Sequence, residues 1–277
     1  MTARGDIEEA LRHIGSDAEE DFDLAQTALL LAALDRPRVS LDRYRDHLAA
    51  IAEGVAGAQG TTRPSAGDCH AALTGILSGT YGYRGDDMTY DDLQNANLMR
   101  VIDRRKGLPV ALGILYIHAA RAQGWSIVGL NFPGHFLVRL DNGGERIILD
   151  PFNNGCAREP SDLRDMLQAM SGQNTELTPE IYAPVTNREI LLRLQSNVRL
   201  RLLQMDRTEE AIGVIESMLL FAPDQKELWR EAGLLHAQFG NPTSSIAALE
   251  EYLSRETHEA PRHEAAAILQ QLRHSIN

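Results

Sequence analysis

The chain has 277 residues, a formal net charge of −12, 43% apolar residues and 24% charged residues. At about 100–200 residues per domain this length is read as two domains, each able to bury its own core. The composition is that of an ordinary globular protein, and the acidic excess, which phosphate backbones repel, excludes nucleic acid as a general partner.

The opening residues, MTARGDIEEA, carry acids where a signal peptide needs bases. No apolar run approaches the ~18 residues of a membrane span. Two cysteines, Cys69 and Cys156, are too few for a disulfide framework or a cysteine-built metal site. The expectation is a cytoplasmic protein with no membrane segment, metal or cofactor. Helical spacing runs from Asp17 to Ala33, through Phe22, Leu24, Leu29 and Leu30, and Pro37 stops it. Ser40 is an N-cap candidate for a helix over Leu41–Val55. A Gly/Thr/Pro/Ser loop over 57–67 follows, then a helix capped by Asp68 and running to about Ser78. Residues 79–92 are turn-rich; Tyr81, Tyr83 and Tyr90 there either line a cleft or cover the core. Residues 97–105 read as a short helix, and Arg100, Arg104, Arg105 and Lys106 at its end read as a solvated basic cluster. Gly107-Leu108-Pro109 opens a nearly all-apolar helix to Gln123, with Gly124 as its stop and proline tolerated in its first turn. A helix apolar on most sides belongs at the centre of a core.

The period then changes from 3.6 to 2, with strands expected over 126–130, 135–140 and 146–150, and Pro151 with Asn153-Asn154-Gly155 ending the sheet. Asn-Gly between the last two strands is a strong hairpin signal. With Asn142-Gly143 at the centre of a two-residue turn, Asp141 faces Gly144, Arg139 faces Arg146 and His135 faces Asp150. Directly opposed residues share a sheet face with Cβ atoms about 4.5–5.5 Å apart. A carboxylate beside an imidazole fixes its tautomer, which is the base-and-orienter half of a nucleophilic triad. The same pair also serves as a simple clip that satisfies a histidine at a strand end.

From about Asn187 the chain is helical again, with a weak 34-residue repeat that matches Met205 to Phe239, Ala211 to Ser245, Ile215 to Leu249 and Leu219 to Leu253. Pro223, Trp229 and Gly233 fall where a tetratricopeptide repeat places a proline, an aromatic and a small residue. A helical bundle without repeat ancestry is the alternative.

The central helix followed by Gly-His-Phe-Leu-Val-Arg (134–139) and Ile-Leu-Asp-Pro-Phe (148–152) resembles the transglutaminase-like core. The segments 97–109 and 131–138 resemble the bacterial SirB family, which joins such a domain to tetratricopeptide-type repeats; a related domain occurs in a eukaryotic F-box protein. The resemblance covers about residues 20–255. It implies an α+β fold: a mainly helical, papain-type domain with a small antiparallel sheet over 1–185, then an all-α repeat domain over 186–277. Asn97, Arg105, Gly107, Pro109 and Gly134 are the motif positions it places along a cleft. The transglutaminase-like core also implies a cysteine at the start of the central helix, where this chain has Pro109, Val110 and Ala111; the SirB motif itself lacks a cysteine there. Cys69, near a helix N-terminus, and Cys156, six residues past Asp150, are the substitutes to consider, although Cys69 is also read as a small buried apolar residue.

Three functions compete. The first is a non-catalytic or atypical module, a possible pseudoenzyme that binds a protein or peptide through its cleft or repeats. The second is a cysteine-type hydrolase (protease or amidase) or amide-transfer enzyme that uses a displaced thiol with His135 and Asp150, or a water activated by His135. The third is a structural protein in which the pair is a hairpin clip.

Overall fold

A helix with apolar residues on every side can exist in water only where other elements cover it. Helix α6 (Pro109–Arg121) is that element: of its residues only His118 and Arg121 escape burial. Around it stand α2 (Leu24–Leu34), α3 (Asp42–Ala58), α4 (Ala66–Thr74) and α5 (Leu98–Arg104). A five-stranded sheet, in the order β6-β5-β4-β3-β7, packs on the same helix: β3 Ser126–Leu130, β4 Leu137–Asn142, β5 Glu145–Asp150, β6 Cys156–Arg158 and β7 Pro184–Val185. All its pairings are antiparallel. Helix α7 (Pro160–Ser171) sets Leu163 and Leu167 against Leu130, Phe132 and Leu137. A second, two-stranded parallel sheet joins β1 (Arg84–Gly85) to β2 (Lys106–Gly107). This computed structural model describes residues 4–16, 22–60, 63–171 and 176–276.

The chain divides into two compact units, one built on Glu20–Leu194 and the other on Gln195–Asn277 with Gly5–Glu19. The division falls within α8 (Asn187–Gln204). The second unit holds α1 (Arg4–Ser16), α9 (Thr208–Phe221), α10 (Lys226–Gln238), α11 (Pro242–Arg255) and α12 (Glu259–Ile276). Its repeat-like positions have packing reasons. A Cβ on Gly233 would lie 2.7 Å from Leu249, so α10 and α11 meet closely there. The Ser245 hydroxyl donates to the Gly233 carbonyl at 2.6 Å, and the Trp229 indole N–H donates to the Pro223 carbonyl at 2.7 Å.

Several local expectations are corrected. The helix expected from Asp17 begins at Leu24, capped by Asp23, which accepts from the Gln26 N–H; residues 17–21 lie outside the described residues. Ser40 does accept from the Asp42 N–H at 3.2 Å, but Leu41 stands in the N-cap position and α3 continues to Ala58. Ser65, not Asp68, caps α4, with Asp68 completing a reciprocal capping box, and a π-helical turn over Gly75–Thr80 takes over after Thr74. The sheet does not end at Asn153–Gly155, because β6 and β7 add its two edges.

The hairpin departs most. The turn is Gly143-Gly144, with φ of +61° and +84°, so Asn142 pairs with Glu145, Arg139 with Ile148 and Val138 with Leu149. A tight hairpin turn needs positive φ at both central residues, which two glycines adopt without a Cβ penalty. Asn142 stays in the strand, where its side-chain N–H₂ donates to the Pro64 carbonyl at 2.6 Å and to Cys69 Sγ at 3.3 Å.

Candidate functional site

His135 is not in a strand. It follows a three-residue turn in which its N–H donates to the Pro133 carbonyl at 2.7 Å across Gly134, whose φ is +61°. The turn carries the imidazole to the C-terminal end of β5, and His135 Nε2 lies 2.8 Å from Asp150 Oδ1. The contact is therefore made by a loop folding back, not by cross-strand pairing.

Asp150 is fully buried and accepts from four groups besides that ring. These are the Asn153 N–H at 3.3 Å, Asn153 Nδ2 at 2.8 Å, and Arg158 Nε and Nη2 at 3.1 and 2.7 Å. Burial raises its pKa, but the hydrogen bond and charge of His135, then Asn153 and Arg158, outweigh that and hold it well below the usual carboxylate range. An ionised carboxylate only accepts, so His135 Nε2 carries a proton and the ring is held in one orientation. The side chain of His135 is 15% exposed. Arg193 holds the loop: its Nη2 donates to the Phe132 and His135 carbonyls at 2.8 and 2.7 Å, and its guanidinium lies over Phe136. Phe152 meets the His135 ring edge-on at 5.9 Å and is seated on Gly85, where a Cβ would come within 2.6 Å of it. Arg158, Asn153, Arg193 and Phe152 were not legible as site residues. Asp-Pro-Phe-Asn marks a turn, but Arg158 lies on an edge strand with no pattern of its own.

No thiol stands at the start of α6. Pro109 is its first residue, and Val110 and Ala111 are buried beside it. Cys69 is fully buried, and burial pushes its thiol pKa up. Cys156 is partly exposed and directly opposes Asp150 in the β5–β6 ladder; burial raises its pKa, Arg158 lowers it and Asp150 raises it again, with the balance upward. Both shifts disfavour the thiolate that nucleophilic chemistry needs. Among the described residues no group of three or more His, Cys, Asp or Glu is placed to hold a metal ion. A cavity of about 400 Å³, lined in part by Phe22, His118 and Arg121, lies at the far end of α6 from Pro109.

The remaining motif residues build the scaffold. Asn97 caps α5 by accepting from the Arg100 N–H, while its Nδ2 donates to the Ala32 carbonyl at 3.0 Å and to Asp35. Arg105 ends that helix in the left-handed region at φ +61°, and its guanidinium bonds His47 and Tyr83. Gly107 lies against Val101, which a Cβ would approach to 2.9 Å. The basic cluster is not a solvated helix end: Arg104 pairs with buried Asp86 at 2.7 Å and with Asn95 at 2.9 Å. Tyr83 is buried, whereas Tyr90 is 37% exposed. Replacing Asn97 with Ala removes the cap and strands the Ala32 carbonyl. It should cost about 1–2 kcal/mol, seen as a lower urea midpoint at unchanged slope.

Residues 42–196 match the transglutaminase-like superfamily, and residues 198–273 match a tetratricopeptide repeat. The first match spans more than half of the chain and contains α6, His135 and Asp150. The chain belongs to the transglutaminase-like superfamily. A UPF0162 protein of Xylella fastidiosa is 32% identical over 186 residues, 66% of each chain. One from Vibrio cholerae is 30% identical over 224 residues, 79% of this chain and 82% of the relative. F-box only protein 21 of Mus musculus is 28% identical over 131 residues, 46% of this chain and 21% of that one. The match to the Xylella protein thus spans just under two thirds of that relative. A mainly helical transglutaminase-like domain with a small antiparallel sheet, followed by a tetratricopeptide region, is the architecture that the resemblance implies. Among the described residues no helix is long and apolar enough to cross a membrane.

Proposed function

We propose that this transglutaminase-like protein is a cytoplasmic, SirB-type binding module, a pseudoenzyme whose cleft and helical repeats take a protein or peptide partner. The observation that carries this reading is Pro109 at the first position of α6, where the nucleophile belongs. His135 remains held by a buried, ionised Asp150, so the site presents an oriented imidazole with nothing beside it to activate. The raised pKa of both thiols supports the same reading. The tetratricopeptide region gives the chain a second surface for a protein partner.

The test combines a thiol-directed activity probe with His135→Ala in a peptide-array binding assay. The expected result is no labelling of Cys69 or Cys156 above that of an ordinary thiol, and weakened array binding in the variant. Labelling of either cysteine that disappears in His135→Ala would establish the competing reading, a hydrolase or amide-transfer enzyme with a displaced thiol. A loss of about 1 kcal/mol of stability, the size of a net hydrogen bond, with array binding unchanged would make the pair a structural clip.

A further inference from the structure

The two residues of α6 that escape burial, His118 and Arg121, line one cavity of about 400 Å³. Phe22, Asp23 and Leu24 at the start of α2 form a second wall, and Asn187 at the start of α8 a third. All of these residues belong to the first unit. The volume falls in the range of small-ligand sites, about 300–1,000 Å³. The walls are tied together by one side chain. Asn187 is 9% exposed; its Oδ1 accepts from Arg121 Nη1 at 2.7 Å, and its Nδ2 donates to the Phe22 carbonyl at 3.0 Å. The guanidinium is thereby fixed at the wall. His118 Nε2 donates to the Leu48 carbonyl at 3.2 Å, so Arg121 is the permanent cation among the lining residues.

Asp23 supplies the opposite charge. Its Oδ1 accepts from the Gln26 N–H at 2.9 Å, while its Oδ2 makes no hydrogen bond and no ion pair among the described residues. A carboxylate and a guanidinium thus line the same cavity without pairing with each other. The space between them suits a group that carries both charges. Asp23 and Arg121 are exposed, whereas Leu24 and Ile117, which also lines the cavity, are 4% and 0% exposed. The charges therefore stand at the mouth, and the apolar surface lies below them.

We infer that this cavity binds a free α-amino acid with an aliphatic side chain: the carboxylate meets Arg121, the ammonium meets Asp23, and the side chain rests on Phe22, Leu24 and Ile117. Charge-assisted hydrogen bonds orient the head group, and burial of the apolar tail adds affinity. No residue of the dyad or its hairpin lines this cavity, so the site stands apart from the binding reading at His135.

The test uses the full chain with ¹³C-methyl isoleucine, titrated by NMR with L-leucine, N-acetyl-L-leucine, L-leucinamide and glycine. L-leucine should shift the Ile117 methyl in a saturable way. Each blocked form lacks one of the two charges and should bind about tenfold more weakly, the scale of one lost charge-assisted hydrogen bond. Glycine, which has no tail, should leave the Ile117 methyl unmoved. Asp23→Asn keeps a capping side chain on α2 and should erase the preference for leucine over its N-acetyl form, while the preference over the amide persists. Binding of either blocked form by the native chain as tightly as leucine would overturn the amino-acid assignment. So would the absence of a saturable Ile117 shift with all four compounds, or a shift confined to Ile147 and Ile148 in the hairpin.

Discussion

Asp150→Ala should destabilise the first unit by about 3–5 kcal/mol, the size expected when one member of a buried charged cluster is removed and its partners are left behind. The carboxylate is fully buried, and its loss strands the Arg158 guanidinium, the Asn153 amide groups and the His135 ring together. Urea unfolding at pH 7 against the native chain measures it. The pH dependence has a definite sign. The folded-state pKa lies below the unfolded value of about 3.9, so the contribution is fully present above that value and is lost as pH falls below it towards the folded pKa. The gap between native chain and variant should therefore be constant from pH 7 to about 5 and narrow below pH 4. A gap that widens in acid would mean that the carboxyl is neutral in the folded protein.

Gly155→Ala should cost about 2–5 kcal/mol, with two physical sources. Gly155 has φ +71°, which costs an L-residue about 1–2 kcal/mol. Its Cβ would lie 2.3 Å from the Tyr116 hydroxyl and 2.7 Å from Thr74, and overpacking of that kind adds about 1–3 kcal/mol. Tyr116 cannot retreat: it is buried in α6, its hydroxyl bonds Ser78 at 3.0 Å, and burial pushes its pKa up to about 12. Thermal unfolding reads the loss. Because the Gly155 N–H also donates to the Asp150 carbonyl at 2.8 Å, the variant should in addition weaken peptide binding at His135. A Gly155→Ala protein as stable as the native chain would show that this loop moves aside freely.

The sequence carried much of this fold, in uneven degree. The apolar run after Pro109 left one physical solution, a helix surrounded by other elements. The hairpin was legible as a hairpin, yet its register was not, because Asn142-Gly143 and Gly143-Gly144 are both acceptable turns by local chemistry. The choice was made by contacts of Asn142 with Pro64 and Cys69, more than seventy residues away in sequence. The two registers pair each residue with partners two positions apart, so every side chain keeps its sheet face. That parity explains how a wrong turn still pointed to His135 and Asp150. The proximity itself arises from the tight turn at Gly134, a device with no periodic signature. The edge strands β6 and β7 are three and two residues long, too short to show alternation. Arg193 was invisible because the loop it holds lies 58 to 61 residues back along the chain, and Arg158, eight residues from Asp150, because its short edge strand carries no pattern.

Asp150 has a second occupation that bears on descent. Besides holding His135, it caps the short helical turn Pro151–Asn153 through its bond to the Asn153 N–H, and it neutralises Arg158. A lineage that lost its nucleophile would still be selected to keep this aspartate for the stability that its buried bonds supply. The presence of this aspartate in a relative would therefore say little about whether chemistry survives there. The residue at the start of α6, Pro109 here, is the position at which active and silent branches can be told apart.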